Sequence, residues 1–407
     1  MKLFKLLSVA MSILLLSACA STSKMNAKKL PKGVKIAKGV ELPRDIELAY
    51  YIPKSLSEES FYLNKYKTRV NTGPALKTGV EDALSVYFKS RKAFDRTSQE
   101  KFGLLLDLEP KWSFEYPNVK MTMKFNVFDS RMSNIHSGEK EFKVNFGHIG
   151  NDAAFYNVSL RAAQLVVVDI INKFKPSAAT YPAEFAMSDV DVVKLANTEK
   201  PYSSGTGFYI NESGQVLTAA HVLRKCLYTE VNKDGESHVA HTIADSTLLD
   251  LAVIEGKGKV ERFLPFRTKQ EIFLGEQVTN VGFPLQGVLA QSPNLTRGNV
   301  SSRKGLKGDV ANFQFSAPIQ PGSSGGPVVS DGGELLGLAV STLNYKALVE
   351  NGSLPQNVNF ALDAQYIAKF LNKHEITFTE VEPNLEGNIR ISNDAALTSV
   401  VQLNCYQ

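Results

Sequence analysis

Between residues 45 and 176, hydrophobic residues recur with two periods, one typical of strands and one typical of helices. The segments with alternating or continuous apolar residues are predicted strands: 46–52, 104–108, 119–127 and 142–146. Helical spacing predicts two helices, one beginning at the capping-box pair Thr78 and Glu81 and one over 160–174. A Ser-Gly pair ending at Gly138 predicts the connection between the last two strands. The order β-α-β-β-β-α predicts an α+β domain with its helices on one face of the sheet.

From residue 201 the pattern changes to short apolar runs separated by Gly, Asn, Asp and Pro. Residues 177–200 show neither period and are expected to be a linker. A turn at 211–214 predicts a β-hairpin at the start of the second domain. The further predicted elements are strands at 251–254, 277–281, 312–316, 335–340 and 357–362 and a helix at 364–373. So many short strands predict an all-β sandwich or barrel over 201–378, with 379–407 as a C-terminal tail.

The first 18 residues have the pattern of a secretory signal peptide. Lys2 and Lys5 precede an apolar stretch at 6–16, which is shorter than the roughly 20 apolar residues that span a bilayer. The following Leu-Ser-Ala-Cys resembles the lipobox of bacterial lipoproteins, which implies lipidation of Cys19. Ala20 stands where an Asp would favour retention in the inner membrane, so the resemblance implies an outer-membrane anchor in a Gram-negative envelope. An ordinary signal peptide with a chance Cys is the alternative.

Charge and composition narrow the function classes. The 407 residues allow two or three domains, and their net charge of +5 is spread without a Lys/Arg stripe interleaved with aromatics, which argues against nucleic-acid binding. Residues 19–44 are Lys-rich and aperiodic, which indicates a solvated tether, with contact to anionic lipid headgroups as the sharper alternative. The six His have no paired spacing and no phosphate-binding Gly loop precedes a helix, so we expect no metal or other cofactor.

The chain contains three Cys. Lipidation of Cys19 would leave Cys226 and Cys405 in an oxidising compartment, where an even number of thiols favours a disulfide. Two buried free thiols remain the alternative.

Three residues have the local settings that nucleophilic catalysis requires. A Ser hydroxyl needs a base within hydrogen-bond reach, and the base needs a carboxylate that holds its tautomer. Ser324 lies in a Gly-Ser-Ser-Gly-Gly-Pro turn, whose glycines allow the backbone N–H groups to form a concave nest for an oxyanion. His221 ends a predicted strand behind small residues, and Asp250 begins an apolar strand. The three together, each at a strand boundary, point to acyl transfer.

Seven motifs follow one another in the second domain: Ser-Gly-Thr-Gly-Phe at 204–208, Thr-Ala-Ala-His-Val at 218–222, Asp-Leu-Ala-Val at 250–253, Gly-Phe-Pro at 282–284, Thr-Arg-Gly-Asn-Val-Ser at 296–301, Gly-Ser-Ser-Gly-Gly-Pro at 322–327 and Asn-Phe-Ala-Leu at 359–362. Through these motifs, residues 201 to about 375 resemble a trypsin-fold protease of the HtrA (Deg) type. The resemblance implies that Ser324 attacks the peptide carbonyl, His221 carries the proton and Asp250 orients His221. It also implies an oxyanion hole formed by the N–H groups of Gly322 and Ser324. His241 and Asp245 lie outside these motifs and are expected to be surface residues.

Two departures from the family pattern affect what we expect of activation and of the role of the first domain. Ser323 stands where digestive trypsin-like enzymes carry an Asp that pairs with a freshly cut N-terminus, so we expect no activating cleavage. Only about 30 residues follow the closing helix, which leaves no room for the family's PDZ domain. Domain 45–176 is therefore expected to take a regulatory or targeting role, with an envelope protein as its partner.

Specificity and the main rival functions stay open. Pro318 occupies the approximate position where an acidic residue would select Lys or Arg, which favours small or medium aliphatic residues before the scissile bond. Either Ser341 or Val340 lines the pocket, depending on a one-residue offset. The prediction is a serine endopeptidase acting on envelope or unfolded proteins. A catalytically silent scaffold or binding lipoprotein is the alternative, and homo-oligomerisation is undetermined.

Overall fold

The computed structural model describes residues 23–63, 68–115, 117–145, 152–285, 292–340, 356–384 and 386–407. It contains two compact units, Met1–Leu195 and Ala196–Gln407. Cys19, the expected lipidation site, and Ser341, a candidate pocket residue, lie outside the described residues.

The first unit is a five-stranded mixed sheet with helices. Its main sheet has the order β4-β1-β6-β7-β8, in which β1 pairs in parallel with β4 and β6 and the remaining pairs are antiparallel. The described strands are β1 (Glu47–Tyr51), β2 (Phe61–Leu63), β3 (Thr68–Val70), β4 (Ser90–Ala93), β5 (Lys101–Phe102), β6 (Leu104–Glu115), β7 (Asn118–Asp129), β8 (Asn134–Asn145) and β9 (Phe185–Ala186). The helices are α1 (Lys54–Ser57), α2 (Thr72–Ser85) and α3 (Asp152–Phe174), with 3-10 turns at Met187–Asp189 and Val192–Lys194.

Helices α2 and α3 provide the core that covers the sheet. Alternate residues of β7, including Met121, Met123 and Phe125, are buried in one cluster with apolar side chains of both helices. The segment Ala153–Phe174 is the one described helix with the length and hydropathy of a membrane span, and 89% of its most apolar window is buried inside the unit. This burial identifies it as the core helix of an α+β domain, as the hydrophobic pattern predicts.

The predicted start of the first helix is wrong. α2 begins at Thr72, so the expected capping pair Thr78 and Glu81 lies inside the helix. Gly73 explains the earlier start, because its N–H donates to Glu59 O at 2.8 Å. A Cβ at Gly73 would come within 2.4 Å of a backbone oxygen, so this close approach requires Gly.

The predicted turn at Gly138 is also wrong. Gly138 lies within β8, opposite Phe125 of β7. A Cβ at this position would approach the Phe125 ring to 2.9 Å, so Gly here makes room for a cross-strand aromatic ring. The connection lies instead between β7 and β8 at 130–133, where Met132 has a φ of 60°.

Two segments expected outside the first domain belong to the first unit. Residues 23–42, which we call the strap, lie along α3, and their apolar side chains pack against the core: Met25, Ala27, Leu30, Ile36, Val40 and Leu42. Within the expected linker, β9 pairs with β5. The structure therefore differs from the expected boundaries, because both flanking segments bury apolar residues on the α+β unit.

The second unit contains two antiparallel sheets. The first has seven strands in the order β13-β12-β22-β10-β11-β15-β14, and the second is a closed barrel in the order β16-β17-β18-β21-β20-β19. The strands of the first sheet are β10 (Ser203–Tyr209), β11 (Val216–Ala219), β12 (Tyr228–Lys233), β13 (Glu236–Ala240), β14 (Thr242–Ser246), β15 (Leu251–Ile254) and β22 (Val400–Tyr406). Those of the barrel are β16 (Gln277–Gly282), β17 (Asn294–Ser302), β18 (Asn312–Phe315), β19 (Pro327–Ser330), β20 (Leu335–Val340) and β21 (Asn359–Asp363).

Three helices accompany these sheets: α4 (Ala220–Leu223), α5 (Ala364–Lys373) and α6 (Ile389–Ser399). A 3-10 turn spans Leu306–Gly308. Asp363 caps α5 by accepting the N–H of Gln365, and Asn388 caps α6. The predicted hairpin, the strand at 251–254 and the helix at 364–373 are confirmed. The predicted fold class, an α+β N-terminal domain followed by an all-β double β-barrel of the trypsin-like kind, is confirmed as well.

The expected C-terminal tail contains the last strand of the second unit. β22 lies between β10 and β12 in the middle of the first sheet and forms antiparallel hydrogen bonds with both. Cys405 of β22 is joined to Cys226 by a disulfide, with a Cα–Cα distance of 5.2 Å. Residues expected to form a tail after the second domain are thus an internal strand of its first sheet.

Candidate active site

The pairing of β11 with β15 brings His221 and Asp250 together. Ala219 at the end of β11 lies opposite Leu251 at the start of β15. His221 follows in the single turn α4, while Asp250 directly precedes β15 with a φ of 51°. The N–H of Ala220 donates to Asp250 O at 3.0 Å, which fixes the two strand ends against each other.

Both carboxylate oxygens of Asp250 form hydrogen bonds with His221. The backbone N–H of His221 donates to Oδ1 at 2.8 Å, and His221 Nδ1 lies 2.6 Å from Oδ2. The two side chains are about one-third exposed, at 32% and 29%. In the neutral ring, the tautomer that places the proton on Nδ1, toward this carboxylate, leaves Nε2 free to act as a base.

The loop that carries Ser324 is packed against the end of β11. Gly325 has a φ of 84°. A Cβ on it would lie 2.3 Å from Thr218 Oγ1 and 2.9 Å from the N of Ala219, two residues before His221. The loop approaches this strand so closely that only Gly fits, which brings Ser324 to the strand end that bears the His–Asp pair.

The N–H of Gly322 is oriented by its own peptide group. In a trans peptide the C=O and N–H point in opposite directions. The carbonyl of this peptide, Pro321 O, accepts the N–H of Leu285 at 2.8 Å, so the N–H of Gly322 points away from Leu285. Gly322 has a φ of 100°, and a Cβ there would lie 2.5 Å from Phe283 O. The sequence at 322 therefore has to be Gly.

The N–H of Ser324 is oriented in the same way. Ser323 O, the carbonyl of its peptide group, accepts the N–H of Gly326 at 3.0 Å. On the other side of Ser324, its own carbonyl accepts the N–H of Thr206 at 3.0 Å. Within the described residues, neither the N–H of Gly322 nor that of Ser324 donates a hydrogen bond to a protein acceptor. Two oriented donors without partners, one on the Ser and one two residues before it, suit an oxyanion.

Thr206 of β10 fixes this loop in place through hydrogen bonds. Its hydroxyl donates to Gly322 O at 2.7 Å and accepts the N–H of Phe283 at 2.9 Å. Its carbonyl accepts the hydroxyl of Thr218 at 2.7 Å. Thr206 is fully buried, so these bonds are shielded from water. Sequence reasoning placed Thr206 in a Gly-rich strand motif but missed this contact, because nothing local shows which loop faces the strand.

The remaining sequence candidates lie outside this arrangement. Asp245 is exposed on β14, and the backbone N–H of His241 donates to Glu255 Oε1 at 2.9 Å. Pro318 is exposed in the segment between β18 and β19, and Val340 ends β20. In the described parts of the chain, no group of three or more His, Cys, Asp or Glu side chains could hold a metal ion.

Comparison with known proteins identifies the domain that bears this site. Residues 205–338 match the family model described as a trypsin-like peptidase domain. The chain is 36% identical over 213 residues to an uncharacterized protein, y4bJ, of Sinorhizobium fredii, covering 52% of this chain and 33% of that protein. It is 30% identical over 211 residues to serine protease HTRA1 of Xenopus tropicalis, covering 50% of this chain and 42% of that protein. The chain thus spans less than half the length of these curated relatives.

Among solved structures, a serine endoprotease from Yersinia pestis is similar with a TM-score of 0.37 and 22% identity, over 44% of this chain and 60% of that chain. The family match covers the segments that hold His221, Asp250 and Ser324. Residues 205–338 of the second unit therefore match a trypsin-like peptidase domain, and this part of the chain is similar to a serine protease of the HtrA type.

Proposed function

We propose that the second unit is a serine endopeptidase in which Ser324, His221 and Asp250 form the catalytic triad. The observation that carries the proposal is the double hydrogen bond between His221 and Asp250 at the strand end against which the Ser324 loop is packed. A carboxylate that holds both the backbone and the ring of one His is well suited to fix a base. A His with only a structural role would not require a carboxylate bonded to both its backbone and its ring.

The reaction proceeds in two acyl-transfer steps. Ser324 Oγ attacks the carbonyl carbon of the scissile peptide bond while His221 Nε2 takes its proton. The negative charge that develops on the carbonyl oxygen is received by the N–H groups of Gly322 and Ser324. His221 then gives its proton to the departing amine, and the C–N bond breaks to leave an acyl-enzyme. Water, deprotonated by His221, attacks the ester carbonyl, and His221 returns that proton to Ser324 Oγ as the ester C–O bond breaks and the new C-terminal acid is released.

Asp250 stabilises the imidazolium that forms twice in this cycle. Its Oδ2 lies 2.6 Å from Nδ1, which keeps the ring in the tautomer and orientation that the reaction needs. No step of this mechanism calls for a cofactor.

The substrates and the location follow from the sequence and stay part of the proposal. Protein substrates with small or medium aliphatic residues before the scissile bond suit Pro318, which offers no charge to pair with Lys or Arg. The lipobox-like sequence at Cys19 would place the protein on the outer membrane through a lipid anchor. Unfolded or envelope proteins are the substrate class that such an exported protease would meet.

Covalent labelling tests this function directly. The full chain is incubated with a fluorophosphonate, which reacts with an activated Ser, and the adduct is located by mass spectrometry. We expect modification of Ser324 and, in parallel, cleavage of unfolded casein. The Ser324→Ala variant controls for contaminating proteases. Labelling at another residue, or equal cleavage by the variant, would contradict the assignment, and a folded protein that neither labels nor cleaves would favour the scaffold alternative.

A prediction about Thr206 follows from its contacts beneath the loop. Thr206→Val removes the hydroxyl and leaves Gly322 O and the Phe283 N–H buried without partners. Because this loosens the oxyanion donors, we expect kcat to fall about 10- to 100-fold with KM nearly unchanged. Thr206→Ser keeps the hydroxyl and is expected to retain most of the activity.

A matched control is Thr279→Val, which removes the hydroxyl of another fully buried Thr, one that contacts Arg297 and Ser392. Steady-state kinetics and thermal unfolding of all three variants separate the two roles. Equal losses of kcat in Thr206→Val and Thr279→Val at equal stability would mean that Thr206 is only a core residue.

A further inference from the structure

The strap is fixed to α3 by hydrogen bonds between its main chain and polar side chains of the helix. Asn157, which is fully buried, donates to Ser23 O at 2.9 Å and accepts the N–H of Met25 at 2.6 Å. Fifteen residues along α3, Asn172 donates to Lys35 O at 3.0 Å and accepts the N–H of Ala37 at 2.8 Å. Each Asn side chain thus bonds the main chain of the strap through both its NH₂ group and its carbonyl oxygen.

Two further polar side chains lie between these amides. Gln164 donates to Ala27 O at 2.6 Å, and Arg161 donates to Lys29 O. Gln164 is fully buried and Arg161 nearly so. The strap covers these side chains and accepts hydrogen bonds from both, in addition to the bond that Arg161 donates to Gln164 Oε1 at 2.7 Å. The strap is therefore an integral layer of the first unit.

In this position the apolar and the charged side chains of the strap lie on different sides. Its apolar residues face the core, whereas all six Lys are exposed: Lys24, Lys28, Lys29, Lys32, Lys35 and Lys38. Glu41 is the one acidic residue among positions 23–42. In the chain beyond residue 42, acidic residues outnumber basic ones. The net positive charge outside the leader is thus carried by the strap, because the rest of the chain has a small acidic excess.

We propose that the lysine face of the strap docks the first unit on an anionic lipid bilayer. Four peptide units join Cys19 to Ser23, and an extended chain of that length spans at most about 14 Å. With the lipid on Cys19 that the proposed function includes, the face starts within that distance of the membrane surface. A cluster of lysines close to such an anchor can bind anionic lipid headgroups. The fixed strap supplies this cluster as a rigid array.

Vesicle binding tests the surface without the lipid and without proteolysis. A chain that begins at residue 20 keeps every described element and is mixed with phosphatidylcholine vesicles that contain or lack phosphatidylglycerol. We expect sedimentation only with the anionic vesicles. Raising the salt to about 1 M, where the Debye length is about 3 Å, is expected to release the protein.

A charge-neutral variant locates the contact. Lys28, Lys32, Lys35 and Lys38 are replaced together by Gln, which leaves the hydrogen bonds of the strap in place. Each exposed lysine near the surface contributes about fivefold to partitioning, so we expect a loss of about 100-fold or more. The matched control replaces four exposed lysines of the second unit by Gln: Lys257, Lys259, Lys304 and Lys373.

The outcomes separate this proposal from the protease assignment. Equal binding to neutral and anionic vesicles, no binding to either, or equal losses in the two quadruple variants would each overturn the docking surface. Casein cleavage by the same samples reports on the protease independently, because the lysine face and the Ser324 loop belong to different units.

Discussion

Replacing Ser324 by Ala is expected to lower kcat for peptide hydrolysis by about 10⁶-fold, and replacing Asp250 by Asn by about 10⁴-fold. The first change removes the nucleophile. The second preserves size and hydrogen bonding to the backbone, because an Asn carbonyl can still accept the N–H of His221 in place of Oδ1. Its NH₂ group would then face Nδ1, where the structure has a carboxylate oxygen at 2.6 Å. The ring must shift its proton to Nε2, so the base is lost.

Asp245→Asn is the matched control for the Asp250 variant. Asp245 lies on β14, the neighbour of the strand that Asp250 begins, and its side chain is exposed. Initial rates on one peptide substrate, with circular dichroism to confirm folding, measure both effects. Asp245→Asn is expected to stay within twofold of the parent. An Asp250→Asn variant within tenfold of the parent would show that this carboxylate does not orient the catalytic base.

Removing residues 400–407 is expected to prevent folding of the second unit altogether. β22 pairs on both edges, with β10 and β12, so its loss leaves two unpaired strand edges in the middle of a sheet. Val400, Val401 and Leu403 are fully buried, and their burial contributes roughly 5–9 kcal/mol to folding. A whole domain is stable by only about 5–15 kcal/mol.

The truncated chain is expected to lose all proteolysis and to be digested by added trypsin up to the first unit, whose core contains no residue of β22. Leu403→Ala provides a graded version, with an expected loss of about 2–5 kcal/mol in the free energy of unfolding. Denaturant titration of that variant measures it. An active truncated protein, or a Leu403→Ala variant as stable as the parent, would show that β22 adds little to the sheet.

The elements that the sequence predicted well have strong local signals. The hairpin around 211–214, the strand at 251–254 and the helix at 364–373 each combine a clear period with a turn or capping residue next to it. The motifs around His221, Asp250 and Ser324 were likewise readable, because each needs small residues or Gly within a few positions. The catalytic roles of the three residues remain predictions that the proposed experiments test.

The elements that were missed depend on distant parts of the chain. β22 pairs with strands about 170 to 200 residues earlier, and no local period distinguishes such a strand from an apolar tail. The strap has no helix or strand period of its own, because its conformation is set by Asn157, Gln164 and Asn172 on a helix more than 130 residues away. Gly138 was interpreted as a turn residue because the sequence alone does not distinguish a Gly that makes room for a facing Phe ring from a Gly that turns the chain.

The position of β22 also sets an order of events during synthesis. A chain is made from its N-terminus, so the first unit and all three proposed catalytic residues leave the ribosome before residues 400–406. Until then β10, which holds the Ser324 loop through Thr206, lacks its neighbour on one side. A chain that is still being synthesised therefore contains its proposed nucleophile without a complete sheet behind it, and the proposed proteolysis requires the last strand.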